Sequence, residues 1–290
     1  MSNFAYIEVK DRDHTSKIVL LKSVNSFSDN NSWCRSNPFL KKWNSSHFQL
    51  AADSVVDYRS SIVFRTHELT WNAHLPHTHK PFDSLPNVVP CNDELYTDTD
   101  SKVICGLSHL ESPCIIYSLG SNGNFIFEEA VSESTPCEIH TFDCTVSKDR
   151  LPAVLPYRVT YHSICLGSDE DVTSMYRSLG SIMNEFGHAR VDLLKMDIEG
   201  FEFRVVEALY ASFLKEGEKN LPYQISFEQH YRGLGDSTPA WSNYPLGLSA
   251  GDMSIIWVDL TDMGYILAGR NDNPQCLHCT ELSAIRAFCD

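Results

Sequence analysis

The chain has 290 residues, 42% of them hydrophobic and 21% charged, with 15 Phe, 12 Tyr and 5 Trp. That is enough apolar material for a sizeable core, and it excludes wholesale disorder. The net charge of −15 is unevenly placed, −2 over residues 1–100 and −13 over residues 101–290, a balance that repels phosphate backbones and anionic lipid and suits a small neutral or cationic ligand better than nucleic acid.

No stretch reaches the roughly 18 consecutive apolar residues of a membrane-spanning helix. The start, Met1-Ser-Asn-Phe-Ala-Tyr-Ile-Glu-Val-Lys10, has no basic segment followed by an apolar one. As written the chain reads as cytoplasmic, with the secretory pathway as its address if an anchor precedes it. Ten cysteines exceed what a cytosolic enzyme needs, yet several sit in apolar runs, as Cys114 does before Ile115-Ile116; reduced core thiols are favoured over disulfides. The sequons at Asn30 and Asn44 matter only in a secretory compartment.

Residues 1–95 are rich in Ser, Asn, His and Pro, and their apolar runs, such as 18–21 and 61–64, are too short to assign between strand and helix. This region reads as an irregular extension or cap, 1–100, in front of a domain at 101–290. From Cys105 onward, apolar runs of four to six residues alternate with helical periods, the signature of a parallel sheet covered by helices. The first strand, Cys114-Ile-Ile-Tyr-Ser-Leu119, is continuous, as a strand buried on both faces should be, and ends in Gly120-Ser-Asn-Gly123. A helix starts in 124–131. Strands follow at 138–142, ending at Asp143, and at 157–166. A helix at 177–186 is closed by Gly187.

The fourth strand is Val191-Asp-Leu-Leu-Lys-Met196, followed by Asp197-Ile-Glu-Gly200. Val205, Val206, Leu209 and Phe213 share one face of a helix over 201–215. A fifth strand ends in Glu228-Gln-His230, and 231–251 is a long loop of the kind that serves function or motion. A helix at 253–263 stops at Gly264, and 265–269 with 281–288 closes the sheet as an antiparallel pair.

In an open parallel sheet a ligand sits beyond the carboxyl ends of the strands at the switch point, where a glycine turn lets backbone approach it. Gly120 and Gly123 are placed for that. Asp143, 20 residues past Gly123, has the spacing of a carboxylate that accepts from ribose hydroxyls. Strand, glycine turn, helix, strand and acid in that order predict a nucleoside-containing cofactor.

These segments resemble the class I S-adenosylmethionine-dependent methyltransferases, and among them the FkbM-like and related methyltransferase-like proteins. The carriers are the strings ending at Gly123 and at Asp143, and above all Leu194-Lys-Met-Asp-Ile-Glu-Gly200 with Phe201-Glu202 after it. The likeness covers about 105–290, although the first turn is Gly-x-x-Gly and not the fuller Gly-x-Gly-x-Gly. It implies a Rossmann-like, doubly wound, seven-stranded sheet, mostly parallel, with S-adenosylmethionine as cofactor. Gly120, Asn122 and Gly123 are expected at the cofactor's amino-acid end, Asp143 at the ribose, and Asp169 or Glu170 at the adenine. Asp197 is expected at the junction with the acceptor, with Glu199, Glu228 and His230 as candidate bases, His230 because its ordinary pKa is near neutrality. If the strand continues past Met196, Asp197 and Glu199 share a face.

The acceptor expected is a small-molecule or sugar hydroxyl. The alternatives are a catalytically silent binding protein and a nicotinamide-type oxidoreductase, the latter disfavoured by the missing Gly-x-Gly-x-x-Gly. No metal site is assigned. The imidazoles of 67–79 and the Cys276-Leu-His-Cys279 string lack a second ligand pair at a recognised spacing, and Mg²⁺ on Asp197, Glu199 and Glu228 is the weaker reading.

Overall fold

The computed structural model describes residues 5–10, 16–21, 33–72, 82, 85–91, 95–97, 102–167, 176–230, 250–272 and 279–289; for 5–10, 16–21, 60–72, 95–97 and 250–254 the description is of the backbone alone. A seven-stranded sheet is its centre: β1 Ile115–Leu119, β2 Glu138–Phe142, β3 Val159–His162, β4 Leu193–Met196, β5 Gln224–His230, β6 Tyr265–Asp272 and β7 Cys279–Arg286. Their order is β6-β7-β5-β4-β1-β2-β3, with only β7 running against its neighbours. This is the Rossmann-like class I methyltransferase fold, and its chain reverses direction of travel between β1 and β4, the place where a ligand crevice opens.

The two faces follow from the period-2 alternation of side chains. Tyr117, Leu119, Phe142, Leu194, Met196, Ile225 and Phe227 pack on the helices α3 Leu179–Phe186, α4 Glu202–Glu216 and α5 Ala250–Asp262. Ile116, Ile139, Leu193 and Ile285 pack on α2 Ile126–Ser134 and on residues 34–55. Each fully buried aliphatic or aromatic side chain stabilises by roughly 1.5–3 kcal/mol.

The N-terminal third departs from the irregular cap expected of it. It forms a two-stranded hairpin, Ala5–Lys10 with Ser16–Leu21, and a 28-residue helix, α1, Ser45–Asn72. Asn44 accepts from the amides of Ser46 and His47 and so caps that helix. Buried Phe48, Ala51, Ala52, Val55, Tyr58 and Arg59 recur at helical spacing, and those up to Val55 share the core of the sheet.

Arg59, 1% exposed, pairs with Asp262 of α5, and Tyr210 of α4 donates to the same carboxylate at 2.9 Å. Removing one partner of a buried ion pair strands the other charge. Arg59→Ala is therefore expected to lose about 3 kcal/mol in urea unfolding; a loss below about 1 kcal/mol would mean that water reaches Asp262.

The expectation of reduced thiols is overturned. Disulfides join Cys34 to Cys289, Cys91 to Cys105, Cys114 to Cys137 and Cys144 to Cys165, and no described cysteine is free. An apolar run does not prevent pairing when neighbouring elements bring two such runs together: the Glu138 amide donates to the Cys114 carbonyl beside the Cys114–Cys137 bridge. Cys279 is also disulfide-bonded, which removes its thiolate from any metal set. Cys276, His74, His77 and His79 lie outside the described residues, as do Asp169, Glu170 and 231–249; of His67 only the backbone is described. Among the described residues, no helix is long and apolar enough to cross a membrane.

On the sheet face under α3, Tyr117, His140, Phe142 and His162 stack with Phe186 and His188. Burial lowers the pKa of all three imidazoles, that of His162 to about 4, so the rings are packed as neutral bases.

Candidate active site

β1 leaves the sheet through Gly120-Ser-Asn-Gly123, where Gly120, Asn122 and Gly123 have φ of +81°, +49° and +78°. The turn is held from below by Asp143 at the tip of β2. One carboxylate oxygen of Asp143 accepts from the amides of Ser121 and Asn122, both at 2.9 Å, and from the Ser121 hydroxyl; the other accepts from the amide and hydroxyl of Thr145. Burial opposes ionisation, but these five donors prevail and the pKa is lowered. Both oxygens are thus committed to the chain itself. Asp143 shapes the turn, and a ribose contact would have to displace donors already in place. Asn122 is exposed, with its side-chain and backbone oxygens both accepting from Arg150.

The register shows what single strands could not. Thr141, Ser118, Lys195, Ser226 and Ser283 lie side by side across β2, β1, β4, β5 and β7. Two residues on, the same face carries Asp143, Gly120, Asp197, Glu228 and Glu281 at the strand tips, with Glu228 opposite Glu281. A polar row therefore leads up to a row of four acids, and both lie on the crevice edge.

Two lysines and a histidine hold the acids. Lys102, 2% exposed and just before the short strand Val103–Cys105, bridges Asp197 at 3.0 Å and Glu281 at 2.5 Å. Lys195 donates to the Gly120 carbonyl at 2.5 Å, tying β4 to the glycine turn. Burial works against the Asp197 carboxylate, yet Lys195, Lys102 and His230 together pull its pKa down to about 2. Asp197 is therefore charged throughout the physiological range.

β4 ends at Met196, and the extension does not persist. Glu199 turns at φ +57° and Gly200 at φ +97°, so Asp197 and Glu199 do not share a strand face. Glu202, fully buried, braces this second turn: its two oxygens accept from the amides of Ile198 at 2.9 Å and Gly200 at 2.8 Å. The device matches that of Asp143, one buried acid lashing one strand-tip turn.

His230 differs from the neutral base expected of it. Its ring lies 3.3 Å from Glu202, 3.4 Å from Glu228 and 3.5 Å from Glu199. Burial alone would depress its pKa, but the surrounding carboxylates, Glu202 and Glu228 foremost, raise it to about 11. It is an imidazolium that anchors acids.

Glu281 runs the other way. Burial, then repulsion from Glu228 and Asp197, raises its carboxyl to about 8 against the opposing pull of Lys102, and its Oε2 is buried with no hydrogen-bond partner among the described residues. A carboxyl raised from 4.5 in the unfolded chain to about 8 in the folded one binds its proton more tightly when folded, so the stability it confers is present below pH 4.5 and lost as pH rises through about 8. His230, raised from 6.5 to about 11, acts in the same direction over the next interval. Above about pH 6.5, where the three packed imidazoles are neutral in both states, unfolding midpoints of the wild type are expected to fall as pH rises to about 8 and to do so less steeply in Glu281→Gln; identical slopes would mean that Glu281 ionises normally.

Glu281 and Lys102 are site residues that the sequence reading missed. A cofactor with a sulfonium and an ammonium cation fits this arrangement, because the acids lie together at the strand tips beside the first turn and one buried carboxyl oxygen lacks a partner among the described residues.

Residues 96–286 match a family described as Methyltransferase domain. The human and rat proteins named probable methyltransferase-like protein 24 are each 31% identical to the matching part of this chain. The human match spans 129 residues, 42% of this chain and 34% of that protein; the rat match spans 139 residues, 44% and 37%. The aligned part is thus about a third of the length of these curated relatives. Among solved structures, a fibrillarin/Nop5p complex aligns at 15% identity and TM-score 0.36 over 61% of this chain and 74% of that one. An O-methyltransferase family protein from Burkholderia thailandensis aligns at 11% identity and TM-score 0.36 over 84% and 62%. Likeness at that level locates no residue.

Proposed function

We propose that this chain, which belongs to the Methyltransferase domain family, is an S-adenosylmethionine-dependent methyltransferase that acts on a hydroxyl oxygen of a small molecule or sugar. The observation that carries the reading is the row of acids at the strand tips beside the glycine turn, in a chain of this family. When bound, S-adenosylmethionine supplies an electrophilic methyl group on a cationic sulfur.

The chain's own residues do the rest. Gly120, Asn122 and Gly123 line the amino-acid end, their turn shaped by Asp143. Asp197, ionised and fixed by Lys102 and Lys195, supplies negative potential where positive charge must be held. Glu281, which exchanges its proton near pH 8, takes up the proton of the acceptor hydroxyl. His230 and Glu202 position the second turn. The Leu-Lys-Met-Asp-Ile-Glu-Gly string supports a place near the FkbM-like branch. The −13 of residues 101–290 supports a non-nucleic-acid acceptor, and the cystines support work in an oxidising compartment.

Calorimetric titration with S-adenosylmethionine, followed by S-adenosylhomocysteine production over a panel of alcohols and sugars, tests it. Cofactor binding with turnover on a hydroxyl acceptor is expected. Binding without turnover on any acceptor would favour the silent binding protein, and binding of a nicotinamide dinucleotide instead would overturn the assignment.

A further inference from the structure

The opposite, N-terminal edge of the sheet carries a cluster that methyl transfer does not use. Glu138 opens β2 and His140 lies two residues on, so both project from the same face. His188 follows the helix α3, whose end is fixed by Gly187 at φ +71° and by the bond from the His188 amide to the Met183 carbonyl. One carboxylate oxygen of Glu138 and one ring nitrogen from each of His140 and His188 lie within 4.8 Å of one another.

We infer that Glu138, His140 and His188 form a divalent-metal site of the two-imidazole, one-carboxylate kind, suited to zinc. Nitrogen and oxygen donors in that ratio, with a position left open, are what Zn²⁺ takes at bond lengths of about 2.0–2.2 Å. The imidazoles are oriented from behind: His140 Nδ1 lies 2.9 Å from His162 Nε2, leaving Nε2 directed at Glu138, and the Tyr117 hydroxyl lies 2.7 Å from His188 Nδ1. Partners of this sort fix ring orientation at metal centres. The Glu138 side chain is 56% exposed, so an ion has an entry path. An aromatic ladder alone requires none of this, since phenyl rings would fill the same space without a carboxylate at the rim.

The test uses the full chain with its disulfides intact, freed of metal by a chelator and titrated with Zn²⁺ by calorimetry, with Co²⁺ absorption as a second readout. One equivalent of Zn²⁺ is expected to bind, Co²⁺ to show a nitrogen-and-oxygen spectrum, and Glu138→Gln and His188→Gln each to weaken binding by roughly tenfold or more. Tyr117→Phe, which removes only an orienting contact, is expected to weaken it by less. Absence of saturable binding, or binding unchanged in His188→Gln, would overturn the inference. So would loss of Zn²⁺ in Asp197→Asn with retention in His188→Gln, which would place the ion among the acids of the crevice. None of these outcomes depends on S-adenosylmethionine binding.

Discussion

Gly120→Val is expected to unfold the centre of the sheet rather than merely to block a ligand. A Cβ at this position would stand 1.9 Å from the Asp197 carbonyl oxygen and 2.9 Å from its carbon, and the backbone is at φ +81°. A branched side chain meets both a forbidden conformation and the backbone of the adjacent strand, which has no rotamer to yield. The combined cost is on the order of 5 kcal/mol, comparable with the whole stability of an ordinary domain. Phe39, Leu40 and Phe48 share a core with Ile116 and Leu193, so residues 33–55 are expected to unfold with the sheet.

Gly264 provides the comparison. Its Cβ would stand 2.1 Å from the Phe288 carbonyl oxygen at φ +88°, an equivalent strain at an edge of the sheet, away from the first turn. Alanine at each position, followed by urea unfolding and by S-adenosylhomocysteine calorimetry on the folded fraction, separates the two roles. Both variants are expected to lose stability, and only Gly120→Ala to lose affinity as well. Equal affinity in both would move the cofactor away from the first turn.

The strands and the helices α2 to α5 were legible because buried parallel strands write themselves as short apolar runs and their covering helices as amphipathic periods. Helix α1 was not. Its buried face uses Ala51, Ala52, Ser54, Tyr58 and Arg59, residues that a search for apolar periodicity discounts, and Arg59 is buried against Thr261 and Asp262, the latter 203 positions away. The site divides along the same line. Asp197 and Glu228 were visible as acids at strand ends, whereas Glu281 became an active-site candidate only once β7 was laid antiparallel to β5 in a register that sets it against Glu228. Lys102 sits in a segment with no periodicity at all. His230 was legible as a residue and not as a charge, since its proton is held by carboxylates from the second turn, from α4 and from its own strand.

Asp197→Asn is expected to lower turnover by about a hundredfold while leaving the fold nearly intact. The change keeps the shape of the side chain. Lys102 retains Glu281, and Lys195 retains the Gly120 carbonyl, so each buried ammonium keeps a hydrogen-bond acceptor. What disappears is one fixed negative charge at the junction of β4 with the first turn, and because its pKa stands at about 2 the deficit is expected at every pH above about 4. A second readout distinguishes this from loose packing. Asp197 repels the ionised form of Glu281 and competes with it for Lys102, so removing its charge lowers the pKa of Glu281. If Glu281 accepts the acceptor's proton, turnover rises with pH through about 8 in the wild type, and the residual activity of Asp197→Asn rises at a lower pH. S-adenosylhomocysteine production measured against pH, with the thermal midpoint as control, checks both effects; normal turnover on an unshifted profile would take Asp197 out of the site and leave it a strut between Lys102 and the second turn.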